Sequence, residues 1–159
     1  METVPEDPTT APRRGVDTDD TQAEVEWDEI TGDSTGGSDI TSYELVMNDG
    51  AGGTVFTAIV GNPTDFTSLS HTETGLTSGA TYKFKYRAKN VHGWSTGYSP
   101  EVSILIATVP DKPTAVQTVN NGLSVDISWT APAFTGGDSV ALTAYTIQIL
   151  QSDGLTYST

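Results

Sequence analysis

No cysteine occurs among the 159 residues, so a disulfide framework and a thiolate metal site are both excluded, and redox compartment is not legible from bridges. Basic residues are scarce: seven Lys and Arg against 21 Asp and Glu leave a net charge of −14. Nucleic-acid binding, which depends on clustered cations displacing counterions, is thereby excluded. The surplus of carboxylates instead favours a soluble, self-repelling surface. Nowhere do about 18 apolar residues run together. The stretch after Met1, ETVPEDPTTAPRRG, lacks the apolar centre of a secretory leader. No membrane insertion by this chain is expected, and no Asn-x-Ser/Thr sequon is present. Helical periodicity is missing too, which points to an all-β class. Catalytic signatures are equally absent: there is no Gly-x-Ser-x-Gly, no phosphate-cradling glycine loop and no His-Glu-x-x-His. The two histidines, His71 and His92, fall on different elements. The chain is not expected to be an enzyme.

What is present is organised around Gly75 to Pro100. There Tyr82, Phe84, Tyr86 and Ala88 alternate with Lys83, Lys85, Arg87 and Lys89, the period-2 pattern of a strand with one apolar and one wet face. Turn-forming residues close it on both sides, Thr77-Ser78-Gly79 and Asn90-Val91-His92-Gly93. Upstream, strand A is expected within Thr9 to Val16 and strand B over Gln22 to Asp28, with Ala23, Val25 and Trp27 inward and Glu24, Glu26 and Asp28 outward. Strand C follows over Ser42 to Met47, with Tyr43, Leu45 and Met47 inward. Strand C′ runs from Thr54 to Val60, E from about Ser68 to Thr74 and G from Glu101 to Ala107. Seven short strands separated by turn signals make an antiparallel sandwich the economical architecture.

Part of this pattern recurs. Pro5-Glu6-Asp7-Pro8-Thr9 is echoed by Pro110-Asp111-Lys112-Pro113-Thr114. Trp27 and Tyr43 are echoed by Trp129 and Tyr145, with Gly36-Gly37 and Gly136-Gly137 lying between. A repeat of this length is a whole domain. The expected organisation is an N-terminal tail (residues 1–4), a first domain (5–108), a stiff proline-bounded linker (109–113) and a second unit (114–159). The second unit holds strand A (Ala115 to Val119), strand B (Ser124 to Trp129) and strand C (Thr143 to Leu150) only, as if cut from a longer array.

Trp27, Tyr43, Leu76 followed six residues later by Tyr82, then Ala88, Asn90, Gly93, Ser95 and Ser99-Pro100 together resemble the fibronectin type III family. The resemblance covers residues 5 to 108 in full and 110 to 159 in part. It implies a seven-stranded Greek-key sandwich of immunoglobulin-like type, with strands A, B and E facing C, C′, F and G. Trp27, Tyr43, Leu76, Tyr82, Phe84, Tyr86 and Ala88 would form the structural core. Tyr82 would act as a tyrosine corner, its hydroxyl bonded to backbone near Leu76. Two departures stand out. His71 and Glu73 take inward positions that are usually apolar, which leaves strand E open to loosening or a shift, and the A–B connection from Gly15 to Thr21 is longer than its counterpart.

Three surfaces are candidates for contact. The F–G loop carries His92, Trp94 and Tyr98 on a rigid scaffold; in the alternative, Trp94 covers the sheet edge and Tyr98 caps strand G. The basic stripe on strand F faces outward opposite an acidic strand B, so lateral packing of copies is weighed against pairing of Glu44 with part of the stripe. Asp17, Asp19, Asp20, Asp49, Asp111 and Asp138 are expected near the junction of the units. There they would form an oxygen-rich site for calcium, against the alternative of mutually avoiding surface carboxylates. No other cofactor is implied.

The expected role is a non-catalytic structural or protein-binding spacer in a longer multidomain protein, extracellular or at the cell surface. Its partners would be other domains of the same chain and a protein yet to be identified. An accessory domain of a polysaccharide-degrading enzyme, or an intracellular filament or axonemal scaffold module with a cytoplasmic location, are the alternatives.

Overall fold

A computed structural model describes residues 2–158. Eight strands build the first domain: β1 (Arg13–Arg14), β2 (Gln22–Glu26), β3 (Ser42–Met47), β4 (Thr57–Val60), β5 (Ser70–Thr74), β6 (Thr81–Asn90), β7 (Gly93–Trp94) and β8 (Val102–Leu105). They form two antiparallel sheets, one ordered β1-β2-β5 and the other β4-β3-β6-β7, with β8 also paired to β6. This is the expected sandwich of A, B and E against C′, C, F and G.

Alternation in the sequence becomes alternation in burial. On β6, Tyr82, Phe84, Tyr86, Ala88 and Asn90 are buried while the residues between them are half-covered. Ala23, Val25 and Trp27 meet them from the opposite sheet, with Tyr43, Leu45, Ile104 and Ile106 completing the core. Leu76 packs against this cluster from its rim. The Tyr82 hydroxyl accepts the Thr77 N–H at 3.3 Å, one residue beyond the expected position. β3 is the most enclosed strand, because even its outward residues Ser42, Glu44 and Val46 are covered.

Three differences from the sequence reading have physical causes. Strand A shrinks to two residues, starting only after Pro12, which removes a ladder donor. Strand E is neither loose nor shifted: β5 pairs with β2 over five consecutive residues. There His71 Nε2 and Glu73 Oε2 satisfy each other at 3.1 Å, and the His71 ring meets the edge of Phe66. Strand G is β8, within its expected bounds, but the expected F–G loop adds a two-residue strand, β7, on the same edge, with Ser95 and Ser99 N–H carrying the ladder between them through bonds to the Ala88 and Tyr86 carbonyls. The segment between those two serines leaves the sheet and throws Tyr98 over its outer face.

After the sandwich come β9 (Thr114–Asn121), β10 (Ser124–Thr130), β11 (Ile149–Leu150) and β12 (Tyr157–Ser158). β9 and β10 form a hairpin at the expected place. The expected strand C over Thr143 to Leu150 is a correction: only Ile149–Leu150 is a strand, and it pairs with Tyr157–Ser158. In the first domain the equivalent strand, β3, is gripped by β6 along its whole length. Among the described residues, 143–148 have no such neighbour, although Tyr145 still packs on Trp129 with ring centroids 5.2 Å apart.

The calcium reading is also corrected. Among the described residues no three His, Asp or Glu side chains are grouped to hold a metal. The carboxylates are committed locally: Asp19 Oδ1 accepts the Thr21 and Gln22 amides at 2.7 and 3.0 Å, and Asp49 Oδ1 accepts those of Ala51 and Gly53. Each caps its own turn, and Asp17, Asp20, Asp111 and Asp138 do not converge with them.

Candidate functional site

The outward residues of β6 stand on a regular strand, so their side chains project in a row from the sheet. Aromatic rings from other elements enter between them. Lys89 Nζ lies 5.5 Å and Arg87 Cζ 4.9 Å from the centroid of the Trp94 ring. Arg87 also stands 4.7 Å from Tyr98, and Lys85 Nζ lies 5.0 Å from Tyr98 and 4.1 Å from Phe56. The result is a ladder of alternating cations and rings, Lys89, Trp94, Arg87, Tyr98, Lys85 and Phe56, each contact within reach of cation–π attraction.

Glu44 anchors the ladder from below. Directly across from Arg87 on β3, its side chain is only 3% exposed. It accepts Arg87 Nε at 2.5 Å, the Tyr98 hydroxyl at 2.6 Å and Asn62 Nδ2 at 2.8 Å. Burial opposes ionisation of this carboxyl, but the three donors outweigh it and hold its pKa below the usual range. Burial, and then the bond to Glu44, push the Tyr98 phenol up to about 12. Two of the three remaining cations pair with carboxylates, Lys83 with Glu101 at 2.5 Å and Lys89 with Asp65 at 2.9 Å, while Lys85 meets only the Phe56 and Tyr98 rings. Arg13 crosses the opposite sheet to meet Glu26 and Asp28. On both broad faces most charges are thus paired with the opposite sign.

The F–G trio does not act as one site. Trp94 and Tyr98 come together on the sheet face through Arg87, as its cover. His92 stands apart at the loop tip, exposed, with Nε2 3.1 Å from Glu2. Phe56 and Asn62 are partners that the sequence reading missed. Both lie in the connections flanking β4, and no periodicity ties such residues to β6. Glu44 is held by three donors, two on Oε2 and one on Oε1. Its chemistry is that of a brace.

The pH dependence has a definite sign. An unfolded phenol ionises near about 10, whereas Tyr98 keeps its proton up to about 12. Above about 10 the unfolded chain therefore holds fewer protons, and stability falls as pH rises through that interval. Denaturant titrations across it should show a shallower fall for Tyr98→Phe than for the parent chain; identical slopes would count against the brace. Glu44 acts in the opposite range, its contribution being lost as pH falls through its lowered pKa.

Comparison with known proteins accords with this geometry. The fibronectin type III domain model matches residues 10–104. A multidomain segment of titin superposes with a TM-score of 0.53 at 21% identity, over 65% of this chain and 32% of that one. The FN1-FN3 domains of chicken CNTN1 give 0.50 at 18%, over 81% and 45%. The third fibronectin III domain of human KIAA0343 protein gives 0.50 at 18%, over 67% and 86%. The chain spans under half the length of the titin and CNTN1 segments, and at these identities the likeness is one of fold. With more than half of its residues matched by the family model and the two-sheet core in place, the chain belongs to the fibronectin type III family.

Proposed function

We propose that the chain is a non-catalytic spacer, one stretch of a file of sandwiches that sets the distance and orientation of whatever its neighbours carry. Its immediate partners are the adjoining domains, and residues 114–159 are the opening strands of a second module. The observation that carries this reading is the junction. Thr108 N–H at the end of the first sandwich and Asp111 N–H in the linker donate to the carbonyls of Gly136 and Phe134, and Asp138 N–H reaches Ser78 Oγ at 2.9 Å. A joint tied on both sides transmits orientation. The match to CNTN1, which extends over 81% of the chain, reaches past the first sandwich and supports a second unit of the same kind. The tied-down Trp94 and Tyr98 favour spacing over ligand capture by this face.

The absence of cysteine makes introduced thiols unique. Spin labels at Thr72→Cys on β5 and Gln117→Cys on β9 should give one narrow distance distribution by pulsed electron resonance. A broad distribution, as from a free hinge, would reject the spacer reading.

A further inference from the structure

Where glycine follows asparagine, the side-chain carboxamide reaches the next backbone nitrogen most easily, because glycine has no β-carbon to obstruct the approach. The chain has five asparagines, and the structure separates them. Asn48 and Asn90 are 2% and 1% exposed, and both ends of each carboxamide are bonded, Asn48 to Gly53, Gly50 and Lys83, Asn90 to Thr3, Thr35 and His92. Asn62 precedes Pro63, which has no N–H to give up. Asn120 sits inside the β9–β10 ladder opposite Val125, and the residue after it carries a side chain.

Asn121 differs on each of these counts. It is exposed and directly followed by Gly122, which takes the first corner of a two-residue turn with φ of 66°. A β-carbon on Gly122 would meet nothing within 4 Å, and its N–H has no acceptor among the described residues. Leu123 beside it is wholly exposed. Every residue of β9 is exposed as well, and a hairpin of two strands is marginally stable, so its tip opens readily. Among the described residues the Asn121 carboxamide is tethered by one long bond, Nδ2 to Asp126 Oδ2 at 3.3 Å.

We infer that Asn121 is a site of spontaneous covalent modification, by ring closure onto Gly122 followed by attack of water. The Gly122 nitrogen forms a bond to Asn121 Cγ and gives up its proton, while the Cγ–Nδ2 bond breaks and Nδ2 leaves as ammonia. Water then opens the cyclic imide at either carbonyl, leaving aspartate or its isomer linked through the side chain. Nothing is oxidised or reduced, and the net change is NH for oxygen. Either product places a second carboxylate beside Asp126, which now accepts a hydrogen bond there. The isomer also adds a methylene to the backbone at the residue whose carbonyl accepts Ser124 Oγ at 2.9 Å. The hairpin therefore loosens with age while the first sandwich is unchanged.

Incubation of the folded chain at mildly alkaline pH, followed by proteolysis and mass spectrometry, reads each asparagine separately. Asn121 should convert within about tenfold of its rate in urea, as a fraying tip allows, whereas Asn48 and Asn90 should be slowed about a thousandfold or more by the stability of the sandwich. Ammonia release by the folded chain should be lost in Asn121→Gln, whose extra methylene disfavours ring closure. Asn121→Asp should speed hydrogen exchange over β9 and β10 about threefold, and adding Asp126→Asn should reverse this. Protection of Asn121 in the folded chain by more than about tenfold, or ammonia release unchanged in Asn121→Gln, would overturn the inference. Unchanged exchange in Asn121→Asp would overturn the consequence drawn for the hairpin.

Discussion

Trp27→Ala is expected to destabilise the first sandwich by about 3–5 kcal/mol, a large part of the roughly 5–15 kcal/mol that holds a domain of this size together. The indole is 1% exposed and lies between the two sheets. Its ring centroid is 5.9 Å from that of Tyr86, 6.2 Å from Phe66 and 6.3 Å from Tyr43. Its Nε1 is buried with no hydrogen-bond acceptor, so the whole loss is one of packing and of the cavity left behind. Trp27→Phe, which keeps much of the contact and removes an unsatisfied donor, should therefore lose far less. Urea denaturation followed by circular dichroism separates the two variants, and a loss below about 1 kcal/mol for Trp27→Ala would mean that these rings do not share a core.

Arg87→Ala should be the next most damaging change, at about 2–3 kcal/mol. It strands the Glu44 carboxylate, which is nearly as enclosed as a core residue, and it also collapses the middle of the ladder. The figure lies below the roughly 3–5 kcal/mol of a fully stranded buried charge because Tyr98 and Asn62 continue to donate to Glu44. The loss should shrink in acid, where a protonated Glu44 no longer needs a cation, and grow as pH rises through the carboxylate range. Adding Glu44→Gln to Arg87→Ala should recover part of it at neutral pH. A double variant no more stable than Arg87→Ala alone would show that Glu44 is not the group left in difficulty.

How legible each feature was depends on how local its cause is. The alternation on β6, the inward Trp27 and Tyr43 and the corner at Tyr82 could be read because strand periodicity and fixed spacing are written in consecutive residues. The basic stripe was visible for the same reason, and Glu44 could be set against it by counting along the adjacent strand. Phe56, Asn62 and Asp65 could not, because each arrives at the sheet face from a connection whose path depends on the finished fold. The extra strand β7 was hidden as well, since Ser95 and Ser99 keep the ladder going through bonds that no pattern of apolar residues reports. Over Thr143 to Leu150 the pattern promised a strand, but pattern states only which face would be buried. A strand also needs a neighbour to bond, and residues 143–148 have none.

The gap between β7 and β8 bears on how such domains tolerate crowding. An unbroken outer strand is a template on which a stranger's backbone can add itself and begin an aggregate. Here that border of the larger sheet is interrupted where Tyr98 departs, the opposite border is the four-residue β4, and the smaller sheet ends in a two-residue β1 and a five-residue β5. Copies of this sandwich at high local concentration would thus find little on one another's flanks to zip onto.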